Sequence, residues 1–187
     1  MHPETLEHGP RVVGKRIVTF DTSCILSNES HVEGAAREAI EALEALHDKG
    51  VIQIVKTDVV DTELLSTSKP GLLEKAAKYT EDIGTGVYGN SRYGHALYAD
   101  ERTDPPLNDI IYTIFPDYDA LGQDAKTHAT RDAMHLATHL RYKRDFFITL
   151  DQHHILRRQI ELREKFGIGV LSPGDCLKEI SKVSSAL

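Results

Sequence analysis

Two aspartates stand where a short apolar run ends. Asp21 follows the run 16–20 (RIVTF), and Asp151 lies just past the run 146–149 (FFIT). Each run reads as a buried strand, so each carboxylate sits just beyond a strand's carboxyl end. Half-burying a carboxylate there without a partner is costly. One such Asp is often only a helix N-cap. Two at matching ends of parallel strands point to a shared site. Two helical acids can complete a cluster. Glu63 lies one and a half turns into the helix after the second strand, and Asp132 lies inside the apolar helical stretch 132–137 (DAMHLA). An Asp on such a face is disfavoured by propensity and by desolvation, unless a nearby Arg or a ligand pairs with it. Asp58, Asp61 and Asp124 are rival acids that read as caps and solvated positions.

Four carboxylates with few neutral ligands suit a hard divalent cation, Mg²⁺ or Mn²⁺. Such a cation would offset their mutual repulsion. The matching chemistry is hydrolysis of a phosphodiester, in which the ion activates water and offsets charge on the phosphate and the leaving oxygen.

The elements that must position these acids alternate along the chain. Strand patterns at 16–20, 51–55, 146–149 and 168–170 are separated by helical patterns at 33–49, 58–65, 70–79, 124–142 and 153–166, with a last helix from Pro173 to about Val183. This alternation predicts βαβ units, a mainly parallel sheet and helices on both of its faces, a three-layer α/β/α sandwich. In such folds ligands gather beyond the carboxyl ends of the strands. Residues 1–14 read as a polar tail and 15–187 as a single domain. The stretch 84–122, rich in Gly, Pro and Tyr, reads as a loop-rich elaboration with one short helix near 108–115. A stretch of that kind serves either as a lid or substrate wall or as a partner contact.

Composition bounds the partners. The chain has 187 residues and a formal charge of −7, with 22 Lys and Arg against 29 Asp and Glu. That balance argues against coating nucleic acid through bulk charge. The segment 126–165 is different, with nine Lys and Arg against five acids, a net +4. A basic flank beside the acids would hold an RNA backbone; its ordinary alternative is the solvated face of two helices. Arg157 and Arg158 are the pair to test first. No apolar run approaches the roughly 18 residues of a membrane span. No apolar signal core opens the sequence, so the expected location is the cytoplasm. Cys24 and Cys176 stand in unlike contexts and read as small buried hydrophobes.

Four stretches together resemble PIN domains (PilT N-terminus-like): 18–23 (VTFDTS), Glu63 after the second strand, 131–137 (RDAMHLA) and 147–151 (FITLD). The tail 167–173 (GIGVLSP) followed by a helix is similar to the family's last strand and helix. The resemblance covers roughly residues 15–183. It implies a PIN-like fold and a metal-dependent nuclease, most often acting on RNA. Asp21, Glu63, Asp132 and Asp151 would then be the acidic metal-binding set. Thr22 or Ser23, and Thr149, would be auxiliary hydroxyls orienting ligands or water. Many small members are toxins of the VapC type held silent by an antitoxin, and homodimers are common in the family. Arg131, in the third motif, joins Arg157 and Arg158 as a candidate RNA contact.

The sequence departs from the family in two places. Many members carry another acid two or three residues after the T-x-D signature, where Gln152, His153 and His154 stand here. Either four acids suffice or His153 takes part, which would favour Mn²⁺. The 84–122 stretch is also longer than a minimal toxin needs. A catalytically silent module that binds RNA or a protein is the alternative function. A haloacid-dehalogenase-like phosphatase is a further one, although Ser23 stands where its second Asp belongs. His135 and His139 have the i, i+4 spacing of a zinc pair without the glutamate of a zincin, so His135 reads as a packed partner of Asp132.

Overall fold

The computed structural model describes residues 15–26, 34–65, 70–87, 90–92, 94, 96–97 and 105–184. The expected tail 1–14 and part of the 84–122 stretch lie outside them. In chain order the elements are β1 (Arg16–Phe20), α1 (Thr22–Ile25), α2 (Ala35–Asp48), β2 (Ile52–Thr57), α3 (Asp58–Leu65), α4 (Pro70–Ala76) and β3 (Thr80–Asp82). After these come α5 (Leu107–Ile114), α6 (Gln123–Arg141), β4 (Phe146–Ile148), α7 (Gln159–Phe166), β5 (Val170–Leu171) and α8 (Pro173–Ser184). The five strands form one sheet in the order β3-β2-β1-β4-β5. Every pairing is parallel, with Val18 opposite Ile54 on one side and Phe146 on the other.

Strand alternation divides the apolar residues between two cores. Val18, Phe20, Ile52, Ile54 and Ile148 pack with Ile40 and Leu43 of α2, Leu64 of α3 and Cys176 and Ile180 of α8. Phe147 and Val170 point the other way, onto Ile110 and Ile114 of α5, Leu136 of α6 and Leu162 of α7. Phe20 and Phe147, neighbours in the sheet's centre but on opposite faces, are both fully buried; each contributes about 2–3 kcal/mol of apolar burial. The result is the expected three-layer α/β/α sandwich. The central strand β1 lies between β2 and β4, so its carboxyl end is flanked by the ends of both.

Three expectations need correction. β3 was not foreseen: its residues, Thr-Glu-Asp, carry no apolar pattern, and 70–79 read as one helix. Backbone pairing with β2 makes it the sheet's edge strand. The helix expected over 153–166 starts at Gln159, after turns at 152–155 and a 3-10 turn at 156–158. Asp58 and Asp61 are not solvated caps. Asp58 is buried and accepts the Gly84 N–H at 3.0 Å, and burial raises its pKa. Gly84 must be glycine for that approach, because a Cβ there would lie 2.3 Å from Thr138 Oγ1. Asp61 is bonded to Lys56. Asp124 is exposed in the first turn of α6, as expected.

Candidate functional site

Asp21 is placed by the sheet itself. Its N–H donates to the Ile148 carbonyl at 3.0 Å, which pins it between the ends of β1 and β4. Its side chain is 9% exposed. Oδ1 accepts the Thr22 N–H at 2.8 Å, and Oδ2 accepts the Ser23 and Thr149 hydroxyls, each at 2.7 Å. The Thr149 hydroxyl also accepts the Asp151 N–H at 3.0 Å. A single hydroxyl therefore ties the two strand-end acids together. Hydroxyls and a backbone amide hold Asp21 in orientation without neutralising its charge.

Glu63 reaches the same place from α3. It accepts the Thr22 hydroxyl, and its Oε2 lies 3.4 Å from His135 Nε2. His135 is fully buried on α6. Its Nδ1 is bonded to the Thr57 hydroxyl at the end of β2, and its Nε2 lies 3.9 Å from Asp21 Oδ1. Burial alone would lower the pKa of His135. The bond to Glu63 and the charges of Glu63, Asp21 and Asp132 outweigh burial and raise it to about 9. Glu63 shows the reverse balance. Burial opposes its ionisation, but His135, Thr22 and the charge of Arg131 together lower its pKa.

Asp132 lies one turn before His135 on α6. Burial pushes its carboxyl up to about 8; Asp21, Glu63 and Asp151 add to the rise, and His135 opposes it. Asp132 thus feels the charges of the other three expected acids. Asp151 has a second task as well. Its Oδ1 accepts the N–H groups of His153 at 2.8 Å and His154 at 3.0 Å, capping the turn that follows β4.

The structure redistributes the other expected residues. It is the His154 ring, not that of His153, that faces Asp151, with Nδ1 3.3 Å from Oδ2. His153 contributes its backbone and an exposed ring 6.5 Å from that of His154. Arg131 has a buried Nε without a hydrogen-bond partner. Arg158 is bonded to Glu161 at 2.9 Å, and Arg157 is exposed. Among the described residues, neither bonds any of the four acids. His135 is bonded to Glu63 rather than to Asp132. His139 turns elsewhere, to the Thr19 hydroxyl at 2.8 Å, so the two histidines do not act as a pair. Cys24 and Cys176 are buried free thiols, and burial raises the pKa of both. Thr57 and His154 were not foreseen. Thr57 ends β2 as Asp21 follows β1, and that strand-end position was the available signal.

The donor set fits a hard divalent cation in its chemistry. It offers carboxylate oxygens from the ends of β1 and β4 and from α3 and α6, and one of the carboxyls, Asp132, is held toward its neutral form by burial and by the charges of the other three. Among the described residues, no three His, Cys, Asp or Glu side chains are gathered closely enough to cage an ion as they stand. No helix among them is long and apolar enough to cross a membrane. No protein-family model matches the chain, and no curated protein matches it.

Proposed function

We propose that this chain is a Mg²⁺- or Mn²⁺-dependent endoribonuclease of the PIN-like type. The observation that supports the reading is that Asp21, Glu63 and Asp151, carried by separate elements, are linked through Thr22 and Thr149 at the carboxyl end of one parallel sheet, with the buried Asp132 one turn before His135 on α6. Asp21 and Asp151 are held there by hydroxyls and backbone amides rather than by Lys or Arg. Asp21, Glu63, Asp132 and Asp151 would hold the ion. When bound, it would supply an activated water and offset charge on the scissile phosphate. The chain's own residues set the geometry. Ser23 and Thr149 fix the Asp21 carboxylate, Thr22 and His135 fix Glu63, and Thr57 sets the His135 ring. Such outer partners are what hold a site to within the fraction of an ångström that chemistry needs. RNA as the substrate, and the further step to a toxin with an antitoxin partner, rest on the motif resemblance. The test is cleavage of RNA with Mn²⁺ by the purified protein and by Asp21→Asn and Asp151→Asn. Loss of cleavage in both folded variants supports the reading, and full activity in both removes it.

One observation favours a second reading, a silent PIN-like binding module. The acids are not closed into a cage, and both Asp151 oxygens already serve the turn at 153–154. Intact RNA after long incubation, with no Mn²⁺ uptake, would select it.

A further inference from the structure

An aromatic strip leads away from the acids on the side of Asp151. The His154 ring lies against Phe115 with centroids 4.5 Å apart and planes tilted by 33°. The His154 side chain remains 50% exposed. Its position is built rather than incidental: Asp151 holds its N–H at 3.0 Å and faces its Nδ1 at 3.3 Å. One turn back on α5, Tyr112 is 46% exposed and meets Tyr118 edge-on at 5.8 Å. Lys126 lies over the Tyr118 ring, its Nζ 5.6 Å from the centroid. Asp119 accepts the Tyr112 hydroxyl at 2.9 Å. The phosphates of a bound strand therefore belong on the Lys126 side, away from Asp119.

Exposed and half-exposed rings with a cation among them, beside the proposed phosphodiester-cutting site, match the way single strands are bound. Bases stack on the rings while cations track the backbone, and any base will serve because each has a π-face. Phe115 supports one face of His154, leaving its exposed side for a base. We infer that His154, backed by Phe115, is a base-stacking platform that seats a nucleotide of single-stranded RNA next to Asp151, with Tyr112 and Tyr118 continuing the track. The inference rests on the RNA reading of the adjacent acids and goes beyond it by naming how the strand is gripped. It assigns His154 a positioning role through its ring plane.

The test is binding of a fluorescein-labelled ten-nucleotide RNA to the full chain in EDTA, followed by anisotropy. His154→Ala should weaken binding by about 5- to 100-fold. His154→Phe should restore it, because a ring of similar shape still rests on Phe115. The same strand carrying abasic nucleotides should bind the unmodified protein more weakly than the normal strand binds His154→Ala, because it loses stacking on the tyrosines as well. Tyr112→Ala should give a smaller loss, and the exposure of both side chains keeps these variants folded. Equal binding of normal and abasic strands, or His154→Ala binding like the unmodified protein, would overturn the inference. So would no binding to RNA at all, which would leave the strip to a protein partner. Because EDTA removes the ion, the outcome is separable from the proposed hydrolysis. Base-dependent binding without any cleavage with Mn²⁺ would sink the nuclease and keep the platform. Cleavage without base dependence would do the reverse.

Discussion

Two acid groups share the carboxyl edge of one sheet and are treated in opposite ways. At the ends of β2 and β3, the buried Lys56 bonds Asp61 and lies 3.0 Å from Glu81, its partner across the strands. Arg92 grips both oxygens of Glu81 at 3.1 Å and lies 3.5 Å from Asp61. Arg144 holds both oxygens of Asp82. At the ends of β1 and β4, hydroxyls, amides and two imidazoles surround Asp21 and Asp151 instead. A strand-end position therefore does not by itself mark a site. What separates the groups is the source of the countercharge. The first group carries its own cations and is structural. In the second, His135 and the Arg131 charge supply partial countercharge to Glu63, while Asp21 and Asp151 are held by hydroxyls and amides without a Lys or Arg bond, which is the arrangement a bound cation would complete.

The contrast can be broken most decisively at Asp21. Changing an outer partner of a metal ligand typically costs 10- to 100-fold, so losing a ligand should cost more. Asp21→Asn is expected to lower Mn²⁺-dependent RNA cleavage by more than about a hundredfold while moving the urea midpoint little. A folded variant with normal turnover would erase the distinction between the groups. The mirror experiment is Lys56→Met. It removes the Lys56 charge from two carboxylates that also face Arg92 and should destabilise the fold by about 2 kcal/mol. Urea unfolding measures this, and Mn²⁺ affinity should not change.

The two buried histidines of α6 sharpen the same contrast. His135 serves the acids, so His135→Gln should raise the Mn²⁺ dissociation constant by roughly 10- to 100-fold, read by calorimetry. An unchanged constant would reduce His135 to packing. His139 serves only the fold. Burial, helped by the Arg144 charge, lowers its pKa from 6.5 to about 3, and Asp145 opposes the shift. A folded value below the unfolded one means that its contribution is complete above pH 6.5. That contribution is lost as pH falls toward 3, because the unfolded chain takes up the proton first. The steepest loss is about 1.4 kcal/mol per pH unit. Unfolding free energies across that window should fall less steeply in His139→Gln, with Mn²⁺ affinity at pH 7 unaltered.

Much of the frame was legible because it is written in local periodicity. The strands at 16–20 and 146–148, the helix from Gln123 to Arg141 and the stop at Gly50, which takes a positive φ of 73°, all follow from neighbouring residues. The placement of Asp21 and Asp151 at one edge followed from parallel topology. What escaped was non-local. β3 has no pattern of its own and exists through its pairing with β2. Asp61 reads as solvated in the sequence because its partners come from outside its helix: Lys56 from β2 and Arg92 from far along the chain. Helical spacing pairs His135 with Asp132, its neighbour on the helix, whereas its bonds run to Glu63 and Thr57. The error at 153–158 has a local cause. A helical spacing of apolar residues continues through Ile155 and Leu156, but Asp151 caps a turn there, and that turn brings His154 rather than His153 to the acids.

The most direct measurement is a calorimetric Mn²⁺ titration of the whole chain beside Asp21→Asn, with RNA cleavage followed at each metal concentration. Saturable binding that Asp21→Asn abolishes, with cleavage that rises in step with occupancy, is the expected result. Binding that is unchanged in the variant, or cleavage that persists in chelator, would contradict it.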